Sequence, residues 1–72
     1  MITLYTTHCP QCHVLEAKLN NYNFNYLINE NIQEIIDKGF LSVPILKINN
    51  STYLTFKEAN EWIEENKNIN EN

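Results

Sequence analysis

The stretch "ITLYTTHCPQCHVLEAKLNNY", residues 2–22, decides the architecture. Its first part, "ITLYT" (2–6), is β-branched and aromatic and reads as a buried strand. Its last part, "PQCHVLEAKLNNY" (10–22), opens on Pro10, whose missing N–H costs nothing in a first helical turn. Apolar residues then recur at Val14, Leu15, Leu19 and Tyr22, which is one face of a helix. Between the two lies "THCPQCH" (7–13), which holds both cysteines and both histidines of the chain. Two thiols therefore stand where a strand hands over to a helix.

The same reading extends outward. "FNYLI" (24–28) alternates Phe24, Tyr26 and Ile28 against Asn25 and Leu27, a second strand. "ENIQEIIDKG" (30–39) places Ile32, Ile35 and Ile36 on one helical face and stops at Gly39, the one glycine of the chain. "VPILKIN" (43–49) and "STYLT" (51–55) are short strands around Asn49-Asn50, a β-hairpin. Thr55 and Glu58 have the spacing of a capping box and open a last helix with Phe56, Ala59, Trp62 and Ile63 inward. The order β-α-β-α-β-β-α predicts a minimal thioredoxin-like α/β domain, a four-stranded mixed sheet flanked by three helices. The domain is read as 1–66, with 67–72 a polar tail.

Composition narrows what such a domain can do. The 72 residues suffice for one small domain, and a hydrophobic fraction of 43% allows a core. A formal charge of −4 leaves no basic stripe to neutralise nucleic-acid phosphates. No apolar run approaches the roughly 20 residues of a membrane span, and "MITLYTT" has none of the parts of a signal peptide. The expected compartment is the cytoplasm, where thiols stay reduced and a CxxC pair is catalytic or metal-binding more often than structural.

Cys9 and Cys12 admit three uses. A structural disulfide would close a very small loop and constrain little of the unfolded chain. Zinc would find four residues of suitable ligand type in His8, Cys9, Cys12 and His13, but His8 precedes the helix, His13 points away from Cys12, and no second CxxC exists. A redox centre suits the position best. Cys9 falls at the N-cap or first turn, where free N–H groups and the positive end of the dipole favour a thiolate. Cys12, one turn further in, should lie beneath it. Cys9 is then the exposed nucleophile of lowered pKa, Cys12 the resolving thiol, and the oxidised form a Cys9–Cys12 disulfide. His8, when protonated, is a candidate for tuning Cys9.

"CPQC" at a strand-to-helix junction, followed about thirty residues later by "SVP" (Ser42-Val43-Pro44) at the start of a hairpin, resembles the glutaredoxin family over residues 1 to about 65. The resemblance implies a thiol-disulfide oxidoreductase without a resident cofactor. It further implies that Pro44 is a cis-proline facing the CxxC and that Val43 offers its main chain to a substrate strand. Some relatives bridge an iron–sulfur cluster between two copies, which keeps a metal or cluster carrier as an alternative.

Within that family the residues lean toward the small redoxins that serve ribonucleotide reductase and are reduced by a thioredoxin reductase-like flavoprotein. Gln11 precedes the second cysteine as it does there, and "TFK" (Thr55-Phe56-Lys57) partly matches their Gly-Phe-basic triplet. Gln11, Thr55, Phe56 and Lys57 are accordingly candidate substrate-binding residues beside Val43 and Pro44. Leu54-Thr55 stand where glutathione-dependent members keep two glycines, and no Lys or Arg lies between Tyr5 and Cys9. A glutathione-dependent glutaredoxin is the second reading. The expected partner is a disulfide-bearing client protein, and a monomer is expected.

Overall fold

The structure, a computed structural model, describes residues 2–70. The seven expected elements form in the expected order: β1 (Ile2–Tyr5), α1 (Pro10–Asn21), β2 (Tyr26–Asn29), α2 (Ile32–Asp37), β3 (Ile45–Asn49), β4 (Thr52–Leu54) and α3 (Phe56–Asn70). The strands build one mixed sheet in the order β2-β1-β3-β4. β1 runs parallel to β2, with Leu4 opposite Ile28, and antiparallel to β3, with Leu4 opposite Leu46. β1 is thus central and carries its C-terminal end, and the cysteines after it, to the middle of one sheet edge.

The alternation of strand side chains sorts the core onto two faces. Leu4 and Leu46 turn to the face covered by α1 and α3, where they cluster with Leu15, Leu19, Phe24, Ala59 and Ile63. Tyr5 and Ile45, the next residues along, turn to the other face and meet Ile35 of α2, with Phe40 and Val43 packed alongside. At about 25 cal/mol per Å2 of apolar surface removed from water, the first cluster is the main source of stability.

Several apolar residues expected to be inward are not. Val14 is 44% exposed, because the buried face of α1 is set by Cys12, Leu15 and Leu19. On α2 only Ile35 reaches the sheet, and Ile32 and Ile36 are each 60% exposed. Six residues make fewer than two turns, so one residue makes the contact. Leu27 and Ile28 are exposed because β2 is an edge strand.

The helix ends follow local chemistry. Asn31 caps α2, its Oδ1 accepting the Glu34 N–H at 3.1 Å. Gly39 follows it with φ +80°, the left-handed conformation that glycine adopts without a Cβ clash. Ahead of α3 one half of the capping box forms: Glu58 Oε1 accepts both the Thr55 N–H (3.1 Å) and the Thr55 hydroxyl (3.0 Å). The helix continues to Asn70, beyond residue 66, aided by Glu64, which takes Lys18 at 2.7 Å and Lys67 at 3.1 Å. Residues 71 and 72 of the expected tail lie outside the described residues. Among the described residues no helix is long and apolar enough to cross a membrane.

Candidate functional site

Cys9 is the N-cap of α1. Its backbone is extended, Pro10 occupies the first helical position, and its Sγ accepts the Cys12 N–H at 3.2 Å. The main-chain N–H of Gln11 acts on the same sulfur. Orphan donors of a first helical turn are therefore aimed at a thiol, as an N-cap oxygen would be served elsewhere. Cys12, one turn on, is completely buried, while Cys9 is half-buried and both are reduced. Their Sγ atoms lie 2.6 Å apart, a contact in which either thiol can be the donor.

That contact changes the electrostatics from those expected. Burial pushes the Cys9 thiol up, and its bond to Cys12 adds to the rise; the N–H groups of Cys12 and Gln11 pull the other way. Burial pushes Cys12 up too, but hydrogen bonds from Cys9, the Thr6 hydroxyl and the Thr7 N–H outweigh it and bring Cys12 below the ordinary thiol value. Cys9 is thus shifted up and Cys12 down, opposite in direction to the lowering expected at Cys9. Accessibility points the other way, since only Cys9 can meet an outside disulfide.

The segment before the helix is held in a specific shape. His8 has φ 63°, a left-handed conformation uncommon outside glycine, and its N–H is tied to Thr6 Oγ1 at 2.9 Å. Its ring does not reach Cys9. Nε2 bonds the carboxylate of Glu30, Nδ1 lies 3.4 Å from Glu16 Oε2, and these acids raise the His8 pKa, Glu30 foremost. The expected tuning of Cys9 by His8 therefore gives way to an ion pair across the loop. Thr6 is fully buried and donates to Glu16 Oε2 at 3.3 Å. The sequence reading overlooked Thr6, Glu16 and Glu30. The spacing of Cys12 and Glu16, four residues apart on one helix, was a usable signal; the approach of Glu30 was not.

Val43-Pro44 is a cis peptide, as the resemblance implies, and Cys9 Sγ points at the Val43 carbonyl oxygen, 3.9 Å away. The Val43 side chain anchors that carbonyl by packing on Tyr5, Ile35 and Ile45, and Pro44 is buried. Gln11 is exposed at the start of α1 and meets the site through its main chain. Thr55, Phe56 and Lys57 are not brought to the thiols by any hydrogen bond among the described residues. Thr55 is engaged by Glu58, Phe56 packs on the main core, and Lys57 is exposed. Among the described residues no group of three or more His, Cys, Asp and Glu side chains converges to hold a metal ion. No family model, no curated protein and no solved structure matches this chain.

Proposed function

We propose that this chain is a thiol-disulfide oxidoreductase, a glutaredoxin-like redoxin on a thioredoxin-like fold, that reduces a disulfide in a client protein. The observation that carries the reading is the stacking of a half-buried N-cap thiol, Cys9, 2.6 Å from a fully buried second thiol, Cys12. Cys9, as thiolate, attacks one sulfur of the client; the client S–S bond breaks and its other sulfur leaves as a thiolate. Cys12 then attacks Cys9 Sγ, closing the Cys9–Cys12 disulfide and releasing the second client thiol. Two electrons and two protons pass to the client. The Val43 carbonyl, exposed to the Cys9 sulfur, suits a client main chain laid alongside.

The donor is a flavoprotein of the thioredoxin reductase kind. Glutathione carries two carboxylates and an ammonium and needs charged or main-chain partners at both ends. Residues 6–8 supply no permanent cation, and the N–H and hydroxyl of Thr55 are already taken by Glu58. The test is NADPH-coupled turnover with thioredoxin reductase set against glutathione plus glutathione reductase. Faster turnover with the former is expected, with Cys9→Ser inactive and Cys12→Ser trapped as a mixed disulfide. Equal turnover with glutathione at low millimolar concentration selects the glutathione-dependent reading, and an active Cys9→Ser variant refutes both.

A further inference from the structure

The loop that carries Cys9 is anchored at both ends and turns on His8. At one end the Thr6 N–H donates to the Asn29 carbonyl oxygen at 3.1 Å. At the other, Cys9 caps α1 and its Sγ takes the Cys12 N–H at 3.2 Å. His8, directly before Cys9, has φ 63°, a conformation costly for any residue but glycine. A closed ring of contacts holds it there. The His8 N–H donates to Thr6 Oγ1 at 2.9 Å, and the Thr6 hydroxyl donates to Glu16 Oε2 at 3.3 Å. The same carboxylate oxygen lies 3.4 Å from His8 Nδ1, which closes the ring. On its far side the imidazole meets Glu30 through Nε2.

Both ring nitrogens of His8 therefore face carboxylate oxygens. A neutral imidazole carries one N–H and can serve only one of them, whereas the imidazolium carries two and serves both. We infer that His8 is a positioning residue for Cys9 that works through its own proton. As imidazolium it bridges Glu16 and Glu30 and locks residues 6–9 in the shape that presents the Cys9 sulfur; on deprotonation it lets go of one arm. This deepens, and rests on, the reading of Cys9 and Cys12 as a redox pair.

The charges around the ring fix the direction of the effect. Glu30, between β2 and α2, and Glu16, on α1, together hold the His8 pKa above its ordinary value. His13, also on α1, has its ring centroid 5.9 Å from that of His8 and approaches Glu16 Oε1 at 4.0 Å, so a charge on His13 opposes one on His8. The lock is closed below the His8 pKa and opens as pH rises through it. His8 and Glu30 are both well exposed, so the pair adds little to the stability of the whole domain. Its effect is on the place of one sulfur.

The test uses an uncharged aromatic disulfide whose released half is coloured. Attack by Cys9 frees one equivalent, and attack by Cys12 frees the second. His8→Asn removes the imidazole but keeps a residue that tolerates the left-handed backbone. The wild-type first phase should be about tenfold faster than that of His8→Asn below the His8 pKa. The two rates should converge above it, at the pH where ring NMR shows His8 titrating. At about pH 5.5, below the ordinary histidine value of 6.5, Glu30→Gln should slow the first phase as His8→Asn does, and Glu30→Asp should recover part of the rate. A His8 acting on Cys9 by its field alone predicts the opposite sign, because Glu30→Gln leaves the positive ring unopposed. A wild-type to His8→Asn ratio that is flat with pH, or a Glu30→Gln variant at least as fast as wild type, overturns the lock alone. A wild-type protein that releases no second equivalent at any pH overturns the redox-pair reading, and this inference with it, before any variant is compared.

Discussion

Removing either cysteine should change how the other titrates, by an amount the geometry sets. With the sulfurs 2.6 Å apart, the first proton leaves a thiolate that accepts a hydrogen bond from the remaining thiol. A bond to a charged acceptor contributes about 1.5–3 kcal/mol. That bond lowers the first ionisation of the pair. The full burial of Cys12 keeps water from competing for the bond. The second ionisation places two negative charges in contact and is displaced upward. Cys9→Ala and Cys12→Ala should each show a single ionisation lying between those two steps. The assay is thiolate ultraviolet absorbance across pH on the reduced proteins, with iodoacetamide labelling mapped by mass spectrometry. Labelling should fall on Cys9 at every pH, since Cys12 has no exposure, even where the charge rests on Cys12. Coincident titrations of wild type and both variants would refute the coupling of the two thiols, and first labelling of Cys12 would refute the assignment of Cys9 as nucleophile.

Ile63→Ala, in the main core with no exposure, should cost about 2–5 kcal/mol in urea unfolding. That is a large share of the about 4–11 kcal/mol a domain of this size holds. Ile32→Ala, on the exposed side of α2, should change stability by about 0.5 kcal/mol or less, and a core-sized loss there would contradict the orientation of that helix. Gly39→Ala should destabilise by about 1–2 kcal/mol through backbone strain alone, since an added Cβ would meet nothing within 4 Å; Gly39→Asn should cost less. Glu64, held by Lys18, Lys67 and Tyr22, has its pKa lowered from 4.5 to about 2. Its folded pKa lies below its unfolded one, so its contribution is full above the unfolded value and fades as pH falls toward about 2. Glu64→Gln should flatten the fall of the urea midpoint over that window, and an unchanged fall would show the ion pairs contribute nothing.

Local signals in the chain specify local structure because they depend on neighbours a few residues away. The strand-to-helix junction at residues 6–10, the N-cap role of Cys9 and the left-handed Gly39 all come from such signals and all appear, and the hairpin forms with its turn one residue later than expected, at Asn50-Ser51. Periodicity also marked the apolar faces of the helices. It could not tell which part of a face another element would cover, and so Val14, Ile32 and Ile36 were read as inward although they are exposed. The capping box shows the same limit at short range. Glu58 was legible as a partner of Thr55, but the Thr55 hydroxyl donates to Glu58 rather than serving the helix N–H groups.

The sequence by itself determined the order of elements and the place of the two thiols at the start of a helix, since backbone propensity and helix-end chemistry act within one turn. Only the tertiary structure decided which charges and carbonyls surround those thiols. Val43 reaches Cys9 from 34 positions away because β3 pairs beside β1, and Glu30 reaches His8 from 22 positions away because β2 pairs on its other side. The opposite shifts of Cys9 and Cys12 were decided there as well. They depend on a buried Thr6 hydroxyl and on a sulfur–sulfur contact that exist only once the sheet and α1 have closed over them.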